Sequence, residues 1–236
     1  MNRAYGRRMV TPSSARYLPF AAFMACIGLE ELMAFFASLG LFRPAPQLFL
    51  YLYPVRIILV VGILYSLRHY YVEIRWSDLR NRSLTLLSIL LGVGVFILWV
   101  NLDGVRLGQR GGVQGFNPAL VAPSFRLIMI IIRVVGAVLV VPVMEELFWR
   151  SFLMRYLIDT AFEKVPLGYF TWSSFVITAF MFGIEHHLVV AGIVAGILYN
   201  MLLYRTKSLV QCILAHAVTN LALAIFVLLL GRWELW

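Results

Sequence analysis

The chain has 236 residues, of which 62% are hydrophobic and 13% charged, and its mean hydropathy is +0.88. A soluble domain carries about 25% charged residues, and one of this length cannot hide so much apolar surface. Soluble and disordered classes are thereby excluded, leaving an all-α polytopic membrane helix bundle.

Apolar runs occupy about Tyr17–Leu41, Leu48–Leu67, Leu84–Val100, Phe125–Val143, Met144–Ile158, Trp172–His186, Leu188–Tyr204 and Leu209–Leu230. They predict about eight transmembrane helices. Each needs roughly 20 residues, so eight take roughly 160 of the chain and leave room for one integral membrane domain, 1–236. Met1–Arg16 is basic but lacks a small-residue cleavage site after a short apolar core, so the first run reads as an uncleaved span. Arg68–Ser83 is an arginine-rich loop, and Asn101–Ser124 is a glycine-rich connection. Pro142 divides the fourth run from the fifth and predicts a break or kink there. Cys26 and Cys212 lie inside apolar runs and suggest neither a disulfide nor a metal pair.

The net charge is +9. The basic residues sit at segment ends rather than in one patch, which points to topology and anionic headgroups and away from nucleic acid. With the N-terminus inside, the inner segments carry Arg3, Arg7, Arg8, Arg16, Arg68, Arg75, Arg80, Arg82 and Arg232. The outer ones carry Arg43, Arg106, Arg110, Lys164, Arg205 and Lys207. This bias predicts an inner-membrane protein with both termini inside.

Ionisable groups within spans are costly and mark function. In Glu145-Glu146-Leu147-Phe148-Trp149-Arg150, Glu146 and Arg150 are four apart and can pair. Glu145 lies about 100° round the helix, without that partner, and is the carboxylate suited to act as a general base. Phe182 and His186 are four apart near the end of the sixth run. Glu185 and His187 point to other faces and are assigned no such role. His216 and Asn220, four apart on the last run, can both donate hydrogen bonds from one side, as an oxyanion site requires. No HExxH zinc motif and no GxSxG elbow occurs. Two histidines and a glutamate could instead bind zinc, provided they converge.

The ordered set EExxxR, FxxxH and HxxxN resembles the CPBP intramembrane proteases, which include the CAAX prenyl endopeptidases and the bacterial Abi proteins. The resemblance covers about residues 125–230. The run Glu145–Leu157 is similar to the bacterial CAAX protease-related subgroup linked to exosortase and PEP-CTERM sorting. The resemblance implies an intramembrane endopeptidase acting on a membrane-associated protein or peptide. Glu145 would activate water, His186 would position it, and His216 and Asn220 would hold the oxyanion. Glu146, Arg150 and Phe182 would support them. No cofactor is expected, because Asn220 is a poor zinc ligand and a good donor; the alternative is zinc held by Glu145, His186 and His216. Rival readings are a non-catalytic scaffold or immunity protein and a small ion-coupled transporter.

With eight alternating helices, Glu145 and His186 fall near one face and His216 starts from the other, at a depth of ~10 Å. Glu30 and Glu31 lie inside the first run, with Arg56 and Arg133 in the second and fourth, which predicts ion pairing between helices, with a substrate role as the alternative. Gly192 and Gly196 predict a close-packed helix face. Trp233 and Trp236 read as interfacial anchors.

Overall fold

A computed structural model describes residues 10–43, 45, 47–102 and 116–235. Arg3, Arg7, Arg8, Arg106, Arg110 and Trp236 lie outside the described residues, as does most of the glycine-rich connection. The fold is all-helical. Its main helices are α1 (Pro12–Ser38), α2 (Leu48–Ser66), α3 (Arg82–Asn101), α4 (Pro123–Tyr156), α5 (Trp172–Glu185), α6 (Val189–Thr206) and α7 (Leu209–Leu230). Six are long and apolar enough to cross a membrane; α5 is shorter.

The fourth and fifth apolar runs form one helix, α4. Pro142 does not break it. A wide π-helical turn at Gly136–Val140 comes just before the proline, and a second follows at Leu147–Leu153. Such turns shift the backbone pairing and commonly occur at functional positions. Helix starts follow local chemistry. Thr11 and Ser14 form a capping box ahead of α1, with Pro12 in its first turn, and Thr171 caps α5 by accepting from the Ser174 amide.

Polar contacts tie several helix ends together. Arg16, near the start of α1, pairs with Glu73 at 2.7 Å. Glu73 also accepts from Ser151 near the end of α4, and Arg155 donates to Ser151 Oγ at 2.8 Å. Ser208, just ahead of α7, donates to Asp78 at 2.6 Å. Gln211 donates to the Asp78 carbonyl and accepts from Ser88 of α3 at 2.7 Å. The Lys207 ammonium donates to the Gly168 carbonyl. The starts of α1, α3 and α7 and the end of α4 therefore share one end of the bundle.

Two expectations are corrected by this arrangement. Fusing two runs removes one crossing, so the start of α1 and the end of α7 lie at opposite ends, not on one face. Lys164, Arg205 and Lys207 move to the end that carries Arg68, Arg75, Arg80 and Arg82. Trp233 packs partly against the main core.

The small-residue face of α6 is borne out. A Cβ at Gly192 would lie 2.9 Å from Gly183 Cα, and one at Gly196 would lie 3.0 Å from Ala179 Cα. Helices α5 and α6 thus form a tight hairpin whose tip, 186–188, ends within the bundle. Among the described residues both cysteines are free.

Candidate active site

The shared end resolves the depth problem. Helix α4 runs toward the end from which α5 and α7 depart. Counted from there, Glu145, His186 and His216 lie at roughly 16, 21 and 10 Å along their helices, at 1.5 Å per residue. All three line one cavity of about 520 Å³, together with Phe182 and Asn220.

The two adjacent glutamates have different surroundings. Glu146 is fully buried. Its Oε1 accepts from Arg150 Nη1 at 3.2 Å and lies 2.9 Å from His216 Nδ1. Glu145 is 4% exposed, and its Oε2 has no hydrogen-bond partner among the described residues. That oxygen is 3.9 Å from His216 Nε2. The spacing argument for a Glu146–Arg150 pair holds, and Glu145 is the carboxylate left facing the cavity.

Arg150 is 1% exposed. Its guanidinium lies over the Phe182 ring at 4.4 Å and over Tyr199 at 5.4 Å. Aromatic faces attract a desolvated cation. Phe182 also touches His186 and His216, at ring separations of 4.7 and 6.1 Å. The motif phenylalanine therefore supports the arginine and fills the space between both histidines.

His186 follows the last turn of α5. Its Nδ1 is 2.7 Å from the Phe182 carbonyl. A carbonyl only accepts, so Nδ1 carries the hydrogen and the neutral ring keeps a lone pair on Nε2. His187 also lines the cavity. On α7, His216 stacks on Tyr199 at 5.2 Å. Tyr199 is held by donating to Thr219 at 2.8 Å, and Thr219 donates to the Gly92 carbonyl. Asn220 Nδ2 donates to the Ala137 carbonyl at 2.8 Å, inside the π-helical turn. One amide hydrogen is thus spent on α4 and the other is left for the cavity.

Sequence spacing missed two groups. Tyr199 positions His216 from a different helix, and nothing in its own segment singles it out. Glu185 lines the cavity and accepts from Trp149 Nε1 at 3.1 Å. Its carboxylate also interacts electrostatically with Glu145. Among the described residues, no three His, Cys, Asp or Glu side chains are grouped to hold a metal ion.

Residues 127–222 match the family model described as type II CAAX prenyl endopeptidase Rce1-like. The match includes all three motifs and agrees with the resemblance drawn from them. No curated protein and no solved structure matches the chain.

Proposed function

Taking residues 127–222 as an Rce1-like CAAX protease core, we propose that the protein is an integral membrane endopeptidase that hydrolyses a peptide bond of a membrane-associated substrate. The observation that carries this reading is the contrast between Glu146, held by Arg150 and His216, and Glu145, which lines the cavity.

In the proposed mechanism Glu145 takes a proton from water as the water oxygen attacks the scissile carbonyl carbon. The lone pair on His186 Nε2 accepts the other water hydrogen and fixes the direction of attack. The oxyanion is held by Asn220 and His216. Glu146 Oε1 already accepts from Arg150, so His216 Nδ1 must be the donor in their pair. To hold the oxyanion as well, His216 needs a hydrogen on Nε2 too, so this role requires both ring nitrogens to carry hydrogen. As the C–N bond breaks, Glu145 returns its proton to the leaving amine. Groups fixed before reaction in a dry site lower the barrier most effectively.

The zinc alternative needs Glu145, His186 and His216 at about 2 Å from one point. Among the described residues no three such side chains are drawn together, and the mechanism takes no step through a metal. For orientation, we assign the arginine-rich end to the cytoplasm of a bacterial inner membrane, since positive charge marks the inside. This places the start of α1 inside and the end of α7 outside.

The test is cleavage of membrane-anchored peptides by purified protein, with and without a chelator. Cleavage by wild type but not by Glu145→Gln is expected, with no effect of the chelator. Full activity of Glu145→Gln would overturn the base assignment. Inhibition by chelator reversed by zinc would overturn the metal-free mechanism.

A further inference from the structure

The cavity continues beyond the motif residues. Arg133, Ala137, Val141 and Glu145 all line it from one face of α4. Twelve residues separate the ends of this row, a distance of ~18 Å at 1.5 Å per residue. An extended peptide covers that in about five residues at ~3.4 Å each. The far end is formed by Glu30 of α1 and Arg56 of α2, with Tyr53 beside them.

Arg56 is 9% exposed and lies among aromatic rings, its guanidinium 4.8 Å from Phe23 and 5.4 Å from Tyr53. Only its Nη2 contacts an acceptor among the described residues. That acceptor is Glu30, and both carboxylate oxygens are reached at long distance, 3.3 and 3.4 Å. Arg56 Nε is buried with no partner among the described residues. A guanidinium has five N–H donors in a planar fork suited to a carboxylate. Each Glu30 oxygen meets only the one Arg56 nitrogen, and the Nε–H of Arg56 is left without an acceptor among the described residues. Arg133 also acts electrostatically on Glu30, and both Arg133 and Glu31 line the same cavity. A buried donor without an acceptor is costly to leave unmet, which favours an incoming acceptor at Arg56.

The geometry points to Arg56 as a recognition residue for a substrate carboxylate, about five residues from the scissile bond. This inference rests on the peptidase reading and names the chemistry of the peptide that the cavity takes. The carboxylate can come from a chain end or from an acidic side chain.

Three labelled probes separate these sources: an apolar pentapeptide with a free C-terminal carboxylate, its C-terminal amide, and the amide with glutamate as its last residue. Their binding to the full chain in detergent is measured by fluorescence anisotropy in a Glu145→Gln background, so that hydrolysis does not intervene. At least one carboxylate peptide should bind about tenfold more tightly than the neutral amide, the size of a charge-assisted contact. A preference for the free acid alone assigns the chain end; preference for both assigns any carboxylate. Arg56→Gln should abolish the preference. Glu30→Gln, which removes the competing carboxylate, should widen it. A purely structural ion pair would not move these two variants in opposite directions. Equal binding of all three probes, or a preference that survives Arg56→Gln, overturns the inference. Should Arg56→Gln fail to fold, an unchanged preference in Glu30→Gln and in Arg56→Lys overturns it as well. Selective binding without hydrolysis by the wild type would sink the peptidase reading and keep the subsite. Hydrolysis without selectivity would do the reverse.

Discussion

The two ends of the cavity use charge differently. At the motif end, Glu146, Arg150 and His216 form a buried, mutually paired unit over the rings of Phe182 and Tyr199. Glu145 is left over. At the other end, Glu30 meets Arg56 through long contacts, and the arginine retains unused donors. Both arginines keep buried donors without an acceptor among the described residues, Nε and Nη2 of Arg150 and Nε of Arg56, but Arg150 is enclosed by its aromatic cradle while Arg56 lines the cavity. In a membrane-spanning chain with few charges, the informative group is the unsatisfied one that faces the cavity.

The largest expected effect separates the two adjacent glutamates. Glu145→Gln should lower kcat by about 10²–10⁴-fold, the usual contribution of a general base, and leave thermal stability nearly unchanged. Glu146→Gln should lose activity and also destabilise the protein by about 3–5 kcal/mol, because it leaves Arg150 buried without its carboxylate. Equal melting temperatures for the two variants would contradict the division of roles. A smaller loss, about 10²-fold in kcat, is expected for Asn220→Ala, in line with removal of one oxyanion donor. A change confined to KM would instead make Asn220 a packing residue for the π-helical turn.

The smallest effect lies outside the spans. Burial alone would raise the Glu73 carboxyl, but hydrogen bonding and charge from Arg16 bring it below its ordinary value of 4.5. Its contribution to stability is therefore present above the unfolded value and lost as pH falls through the lower folded value. Unfolding measured across acid pH should show a steeper loss in wild type than in Glu73→Gln. Identical profiles would remove Glu73 as the source.

The sequence made the i,i+4 pairs legible, because helical spacing alone places Glu146 by Arg150 and brings His216 and Asn220 to one face. It did not reveal that two apolar runs are one helix. Pro142 normally signals a break, and the π-helical turn that accommodates it has no clear signature in hydropathy. That single difference reversed the end from which α7 starts and brought His216 to the depth of Glu145. Tyr199, Glu185 and the cradle for Arg150 depend on contacts between separate helices, which spacing along one segment does not encode. The alternative considered for the first helix, a substrate role for Glu30 or Glu31, now centres on Arg56, the partner of Glu30 across the helices.

The most direct test of the central claim is the cleavage rate of one membrane-anchored peptide by wild type, Glu145→Gln and Glu146→Gln, each with its melting temperature. The expected result is a folded, stable and inactive Glu145→Gln beside a destabilised Glu146→Gln. A Glu145→Gln protein that retains cleavage within about tenfold of wild type, where loss of a general base removes about 10²–10⁴-fold, would contradict the assignment of Glu145 as the group that activates water.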